Sequence, residues 1–129
     1  MHINDYLFVP YKERGRDIET GLDCWGLVRH VRANVFNRPG LPSLCGLDPF
    51  DKRTVTRTYR KIKEGFSASL VEPGAIACAF ILGVCVHVGV VVEADGRLWV
   101  METDTPHGVS LARPRDFEKK YTRVEYWND

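Results

Sequence analysis

Apolar residues in the first third of the chain recur at the spacing of an amphipathic helix. After Cys24 the apolar positions are Trp25, Leu27, Val28, Val31, Val35 and Phe36. Asp23 can cap the free amide groups of a helix that begins at the next residue. The pattern therefore predicts a helix over residues 24–37, ended by a loop at residues 38–43 that contains two prolines and a glycine.

A second helix is predicted over residues 51–65. Val55, Tyr59 and Ile62 lie there at helical spacing among many Lys and Arg residues. We interpret the basic side chains as a solvated face in preference to a nucleic-acid site.

The second half of the chain has the pattern of strands. After a turn signal at residues 72–74, short β-branched or small apolar runs occupy residues 75–82 and 84–93. An Asp-Gly hairpin signal leads into residues 98–102, and two more strands are expected near residues 108–112 and 121–127. Helices followed by antiparallel strands predict one α+β domain over residues 1–129, with N-terminal helices packed on a sheet of about five strands.

The charge balance limits the choice of partners. The chain has 18 Lys and Arg against 17 Asp and Glu, so no overall field favours nucleic acid or an anionic membrane. The first residues lack the features of a secretory signal, and no apolar run is long enough to span a bilayer. We expect synthesis in the cytoplasm, with neither nucleic acid nor membrane as a partner.

Four cysteines, Cys24, Cys45, Cys78 and Cys85, are present without any Cys-x-x-Cys pair. Because no secretory signal is recognised, reduced thiols are favoured over disulfides. A zinc site that includes Cys85 and His87 would lack a second close pair of ligands. We therefore expect no metal.

Cys24 and His87 form the candidate catalytic pair. A helix amino terminus carries partial positive charge and unpaired amide groups, which favour a thiolate and could hold a developing oxyanion. A thiol in that position, faced by an imidazole on a strand, is typical of a cysteine nucleophile with its base. Strict strand alternation puts Cys85, His87 and Gly89 on one face, with room beside the imidazole at Gly89. A buried structural cysteine is the alternative interpretation of Cys24 taken alone.

Short motifs in a fixed order resemble the NlpC family of papain-like cell-wall cysteine peptidases. The motifs are Pro10-Tyr11 with Gly15, Asp23-Cys24-Trp25-Gly26-Leu27-Val28, Gly40-Leu41-Pro42, Glu72-Pro73-Gly74 and His87-Val88-Gly89-Val90. The Trp after the cysteine is similar to the branch carried by phages and prophages in tail-associated proteins. The resemblance covers about residues 11–102, with a divergent middle at residues 45–71. It implies a papain-like NlpC-type fold that needs no cofactor.

The resemblance also implies roles for individual residues. Cys24 is the nucleophile, His87 the general base and later acid, and Tyr11 a hydroxyl that hydrogen-bonds near the oxyanion position. The family's third catalytic residue, usually His, falls at Glu102, with Thr103 and Asp104 close by as alternatives. A carboxylate can orient an imidazole and stabilise its cation, so Glu102 suits the position chemically.

Asp23 and Trp25, which flank the cysteine, are the expected substrate-binding neighbours. Cell-wall members of the family commonly have Ser where this chain has Trp25, in a position that helps form the subsite for the amino end of the stem peptide. The implied reaction is hydrolysis of the γ-D-glutamyl to diamino-acid bond of peptidoglycan stem peptides through a thioester. The expected setting is a phage tail-associated cell-wall hydrolase acting in the periplasm or cell wall. The alternative is a structural tail-assembly component that docks other tail proteins.

Overall fold

The computed structural model describes residues 1–44 and 52–129, so that Cys45 and Asp51 lie outside the described residues. The described residues form a short 3₁₀ helix at Ile3–Tyr6 and three α-helices: α1 (Cys24–Asn34), α2 (Lys52–Gly65) and α3 (Pro114–Glu118). The strands are β1 (Arg16–Asp17), β2 (Gly21–Leu22), β3 (Ser67–Ala68), β4 (Ile76–Ile81), β5 (Val84–Ala94), β6 (Arg97–Asp104), β7 (Gly108–Ala112) and β8 (Arg123–Asn128).

Six of the strands form one antiparallel sheet in the order β3-β8-β4-β5-β6-β7. β1 and β2 form a separate antiparallel pair. The predicted α+β class with an antiparallel sheet is confirmed. The expected number of about five strands is corrected to six, because the two-residue edge strand β3 pairs with β8 and is too short for a periodic signal.

The order of the strands differs from a simple meander. β4, β5, β6 and β7 follow one another as neighbours, but β8 returns to the other side of β4 and pairs with it from Ile76 to Phe80. α3 lies in the connection between β7 and β8. This return brings the segment that follows α3 near the middle of the sheet, next to β4.

Helix α1 is shorter than the predicted 24–37. Its last residue is Asn34, and Asn37 adopts a left-handed conformation with φ 56°. The Arg38 N–H then donates to the carbonyl of Arg32 at 2.8 Å, which closes the helix end. Three apolar residues, Leu27, Val28 and Val31, lie on the buried side of α1, as the periodicity predicts.

Two apolar clusters lie on opposite faces of the sheet. The larger one joins α1 and α2 to Ile76, Cys78 and Phe80 of β4. The smaller one contains Ala77 and Ala79 of the same strand, together with residues of α3 and β6. Because side chains alternate along a strand, these two sets face opposite sides.

A β-bulge interrupts the alternation in β5. Ala79 pairs with His87 and Phe80 with Cys85, so Val86 is the extra residue. Cys85 consequently belongs to the larger cluster, whereas the His87 ring contacts Phe117 at 6.2 Å between centroids. The expectation that Cys85 and His87 share one face is corrected, because the bulge directs their side chains to opposite faces of the sheet.

Within the described residues, no helix combines the length and apolarity needed to cross a bilayer.

Candidate active site

The amino end of α1 is held by Asp23. Its Oδ1 accepts the Gly26 N–H at 2.7 Å, as a helix cap does, and the Arg16 guanidinium at 2.7 Å. Oδ2 accepts the backbone N–H of Arg14 at 3.2 Å. Asp23, which the sequence analysis expects to bind substrate, is only 1% exposed. Its contacts hold the backbone that carries Cys24.

Glycines allow the β1–β2 segment to approach the start of α1 closely. A Cβ atom added to Gly26 would collide with the carbonyl oxygen of Gly15, and one added to Gly15 would collide with the carbonyl of Gly21. Any larger side chain would push the two segments apart. The Gly after Cys24-Trp25 is therefore a packing requirement of this site.

Strand β5 supplies His87 directly after the bulged residue Val86. The imidazole stacks on the Tyr121 ring, with 6.3 Å between centroids and 24° between planes. Gly89 lets β6 approach β5 closely, since a Cβ there would lie 2.8 Å from Val100 and 3.0 Å from the Met101 carbonyl oxygen. The Tyr121 ring thus covers one face of the imidazole, and Gly89 permits the close pairing of β5 with β6, the strand that carries Glu102.

Glu102 holds one nitrogen of the His87 imidazole. Oε1 of Glu102 lies 3.1 Å from Nε2 of His87, and both side chains are about nine-tenths buried. Of the three candidates for the third residue, Glu102 makes this contact; the Asp104 carboxylate accepts the Thr105 N–H instead. With Nε2 held by Glu102, Nδ1 is the ring nitrogen left to interact with Cys24.

The charge state of His87 follows from these neighbours. Burial alone would lower the pKa of the imidazole, but the hydrogen bonds and charges of Cys24 and Glu102 outweigh burial and raise it to about 10. Burial would likewise raise the pKa of Glu102, yet the contacts with His87 and then Lys120 lower it below its usual value. An imidazolium paired with a carboxylate is therefore favoured at neutral pH.

Cys24 and His87 open into one cavity of about 280 Å³. The cavity is lined by Tyr11, Cys24, Val86, His87, Thr103, Asp104 and Tyr121. Cys24 is 5% exposed, whereas Cys78 and Cys85 are fully buried in the main core. All three of these cysteines carry free thiols, and in the described part of the chain Cys24 is the one that a ligand can reach from this cavity.

Two tyrosines, Tyr11 and Tyr121, line the same cavity. Burial, followed by the negative charge of Cys24 and nearby carboxylates, raises the pKa of Tyr11 well above its usual value. Burial and the charges of Glu102, Asp104 and Cys24 do the same for Tyr121. Both hydroxyls therefore stay protonated at neutral pH and can donate hydrogen bonds to a ligand in the cavity. The position of Tyr11 is compatible with the role that the resemblance implies.

Trp25 points away from this cavity. Its indole Nε1 donates to the Pro42 carbonyl oxygen at 2.9 Å, and its side chain lines a separate cavity of about 340 Å³ together with Ile62 and Phe66. The described lining of the Cys24 cavity does not include Trp25. The structure thus corrects the expectation that this ring shapes the subsite beside the thiol: it anchors the loop after α1.

A zinc site has no support in the described ranges 1–44 and 52–129, where no group of three or more metal-ligating side chains converges. Cys85 and His87, the pair considered from the sequence, are turned to different sides of the sheet by the bulge.

The sequence interpretation missed two residues of the site, Lys120 and Tyr121. Both belong to the turn after α3, where no motif marks them. Pro114 at the first turn of a helix and the apolar Phe117 are the signals that could have located α3. Nothing local in the sequence shows that this turn reaches the His87 strand.

Comparison of the chain with protein-family models, curated proteins and solved structures finds no match. The functional interpretation consequently depends on the chemistry of the site and on the motifs in the sequence.

Proposed function

We propose that the protein is a cysteine peptidase of the NlpC type, with Cys24 as nucleophile, His87 as general base and acid, and Glu102 as the residue that orients His87. The observation that carries the proposal is the cavity lined by the Cys24 thiol and by an imidazole whose far nitrogen is held by a buried carboxylate. A nucleophile and a base can carry out covalent amide hydrolysis, and a group that orients the base increases its rate.

The chemistry proceeds in two stages. With the proton of Cys24 already transferred to Nδ1 of His87, Sγ attacks the carbonyl carbon of the amide, and the imidazolium then gives that proton to the leaving amine as the C–N bond breaks. The acyl group remains as a thioester on Cys24. In the second stage His87 takes a proton from water, the water oxygen forms the new C–O bond, and the thioester C–S bond breaks to release the acid.

The negative oxygen that develops on the carbonyl needs hydrogen-bond donors. Backbone amides at the amino end of α1 and the protonated Tyr11 hydroxyl are the candidates, because both lie at the Cys24 end of the cavity. Tyr11 suits this role because it lines the cavity together with Cys24 and carries its proton at neutral pH.

The proposed substrates are peptidoglycan stem peptides, cut between γ-D-glutamate and the diamino acid. This part of the proposal is supported by the motif resemblance, which spans the nucleophile, the base and the flanking turns. The biological setting proposed with it is a phage tail-associated hydrolase that opens the cell wall for the injection device.

Digestion of purified peptidoglycan, followed by mass spectrometry of the soluble fragments, tests the proposal. We expect fragments that end in γ-D-glutamate from the wild-type protein and none from Cys24→Ala. Cys78→Ala is the matched control, since it removes a buried thiol outside the cavity and should leave cleavage intact.

A thiol assay tests the reactivity of Cys24 without a substrate. Cys24 should react with iodoacetamide near pH 7 faster than Cys45 and than the buried Cys78 and Cys85. A reactive Cys24 in a protein that leaves several peptidoglycan types uncut would favour another amide or ester substrate, or a role in tail assembly. An unreactive Cys24 would count against a peptidase altogether.

A further inference from the structure

The turn after α3 brings to the site a cation that the motifs do not assign. Lys120 donates from Nζ to Oε2 of Glu102 at 3.0 Å, while Oε1 of the same carboxylate contacts Nε2 of His87 at 3.1 Å. The two oxygens of Glu102 thus have different partners. Two hydrogen bonds therefore hold the carboxylate, one to Lys120 and one to His87, and they connect the three side chains in the order Lys120, Glu102, His87.

The position of Lys120 is itself defined by contacts. Its ammonium lies 5.3 Å from the centre of the Phe117 ring and 6.0 Å from that of the Tyr121 ring, and its backbone N–H donates to the Phe117 carbonyl at 3.2 Å. Phe117 is fully buried, so the turn is anchored in the second apolar cluster. The same turn therefore fixes both the ammonium and the ring that stacks on His87.

A buried Glu that touches only an imidazole would leave its second oxygen without a hydrogen bond, which is costly in a site 6% exposed. Its side chain also has several rotatable bonds, so one contact does not define the direction of the carboxylate. Lys120 satisfies the second oxygen and removes this freedom. Because the Lys120 side chain is 51% exposed, the ion pair as such should contribute little to global stability.

We propose that Lys120 is a positioning residue: its ammonium orients Glu102 so that Glu102 holds the His87 imidazole toward Cys24. The inference rests on the proposed function, because it takes Cys24 and His87 as the reacting pair. Lys120 acts through Glu102 and needs no contact with substrate.

Positioning and simple electrostatics predict opposite changes when Lys120 is removed. If Lys120 positions Glu102, its loss releases the carboxylate from His87 and the pKa of His87 falls. If Lys120 acts only as a nearby positive charge, its loss favours the imidazolium and the pKa of His87 rises. Among the described residues, the other titratable groups near the pair are Cys24 from α1, Cys85 from β5, Asp104 from β6, Tyr11 from the loop before β1 and Tyr121 from the turn after α3. They are the same in every variant compared.

Three variants of the full-length protein test the inference. Lys120→Met keeps the aliphatic stem against the rings but removes the donor, Lys120→Arg keeps a donor, and Lys119→Met removes one charge from the exposed neighbouring residue. NMR titration of the His87 imidazole, assigned with His87→Gln, gives its pKa. The rate of Cys24 alkylation by iodoacetamide against pH gives the effect on the nucleophile.

In Lys120→Met we expect the pKa of His87 to fall by about 1, and the step that imidazolium deprotonation adds to the pH profile of Cys24 alkylation to move to lower pH by the same amount. Lys120→Arg should lie near wild type, and Lys119→Met should equal it. An unchanged or raised pKa of His87 in Lys120→Met, or the same fall in Lys119→Met, would overturn the inference.

Failure of the proposed function is distinguishable from this result. It would appear in the wild-type protein as a Cys24 no more reactive than Cys78 and Cys85. The NMR titration of His87 would still decide the role of Lys120, since it requires neither a substrate nor a reactive thiol.

Discussion

Arg16 and Asp23 form an ion pair of 2.7 Å, and Asp23 immediately precedes the candidate nucleophile Cys24. The Asp23 side chain is 2% exposed and that of Arg16 13% exposed, so most of the pair is withdrawn from water. Arg16 also donates from Nε to the Ser43 carbonyl and from Nη2 to the Leu44 carbonyl. One pair thus ties together β1, the cap of α1 and the loop after the helix.

Asp23→Ala should lower the free energy of unfolding by about 2 to 4 kcal/mol, because it removes a helix cap and leaves Arg16 without its carboxylate. Urea unfolding measures the loss, with Asp116→Ala as a control at an exposed acidic residue. Asp23→Asn can still accept the Gly26 N–H, so it should lose less. A wild-type midpoint for Asp23→Ala would show that the pair does not support α1.

Cys24→Ala and His87→Ala should fold and should each lower amide hydrolysis at least about 1000-fold, since attack and proton transfer act as one unit. Circular dichroism checks the fold, and release of stem-peptide fragments measures the activity. Full activity of Cys24→Ala on a confirmed substrate would place the nucleophile elsewhere.

Charged His87 should give the protein a pH-dependent contribution to stability. Its pKa is raised from 6.5 to about 10 in the folded state, so the contribution is complete below pH 6.5 and is lost as the pH rises toward 10. Urea unfolding of wild type and His87→Gln at several pH values should show a difference in stability that narrows across this window. A constant difference would mean that His87 is not charged in the folded protein.

Glu102→Gln should reduce kcat about 10- to 100-fold with a small change in KM, because an amide orients the imidazole but does not stabilise its cation. The effect should be smaller than that of Cys24→Ala.

The pKa of Glu102 is shifted down, whereas that of His87 is shifted up. The contribution of Glu102 to stability is therefore present above about pH 4.5 and is lost as the pH falls. Glu102→Gln should therefore flatten the acid side of the stability profile.

Trp25→Ser should destabilise the protein by about 3 kcal/mol or more, since the buried ring and its hydrogen bond to Pro42 are both lost. Because the ring lies outside the Cys24 cavity, the choice among stem peptides should change little. Thermal unfolding and a panel of stem peptides measure the two effects. A changed peptide preference at unchanged stability would restore the subsite role expected from the sequence.

The local part of the site could be predicted from the sequence. The helix that begins at Cys24 follows from apolar periodicity and from the cap at Asp23, and the strand that contains His87 follows from its β-branched run. The structure brings both residues to one cavity, as the order of motifs indicated, and places Glu102 on His87.

The remaining features depend on contacts that no short segment encodes. Lys120 meets Glu102 only because β8 returns to the side of β4 and draws the preceding turn across the sheet. The bulge at Val86 is hidden because the two residues before it, Val84 and Cys85, are also apolar, so a shift of the alternation by one residue there leaves the apolar pattern unchanged. Helix α3, at Pro114–Glu118, is too short for periodicity to reveal it.

The extra residue in β5 also limits how this strand can change over time. Deleting Val86 would restore regular pairing with β4 and send either Cys85 or His87 to the opposite side of the sheet. Point substitutions among the valines of this strand should be tolerated, whereas single-residue insertions and deletions should be rare in any lineage that retains the Cys24–His87 pair. In a library of length variants across residues 84–90, activity should therefore be kept at the native length and lost in variants with one residue more or fewer. In a library of apolar substitutions over the same residues, activity should vary gradually.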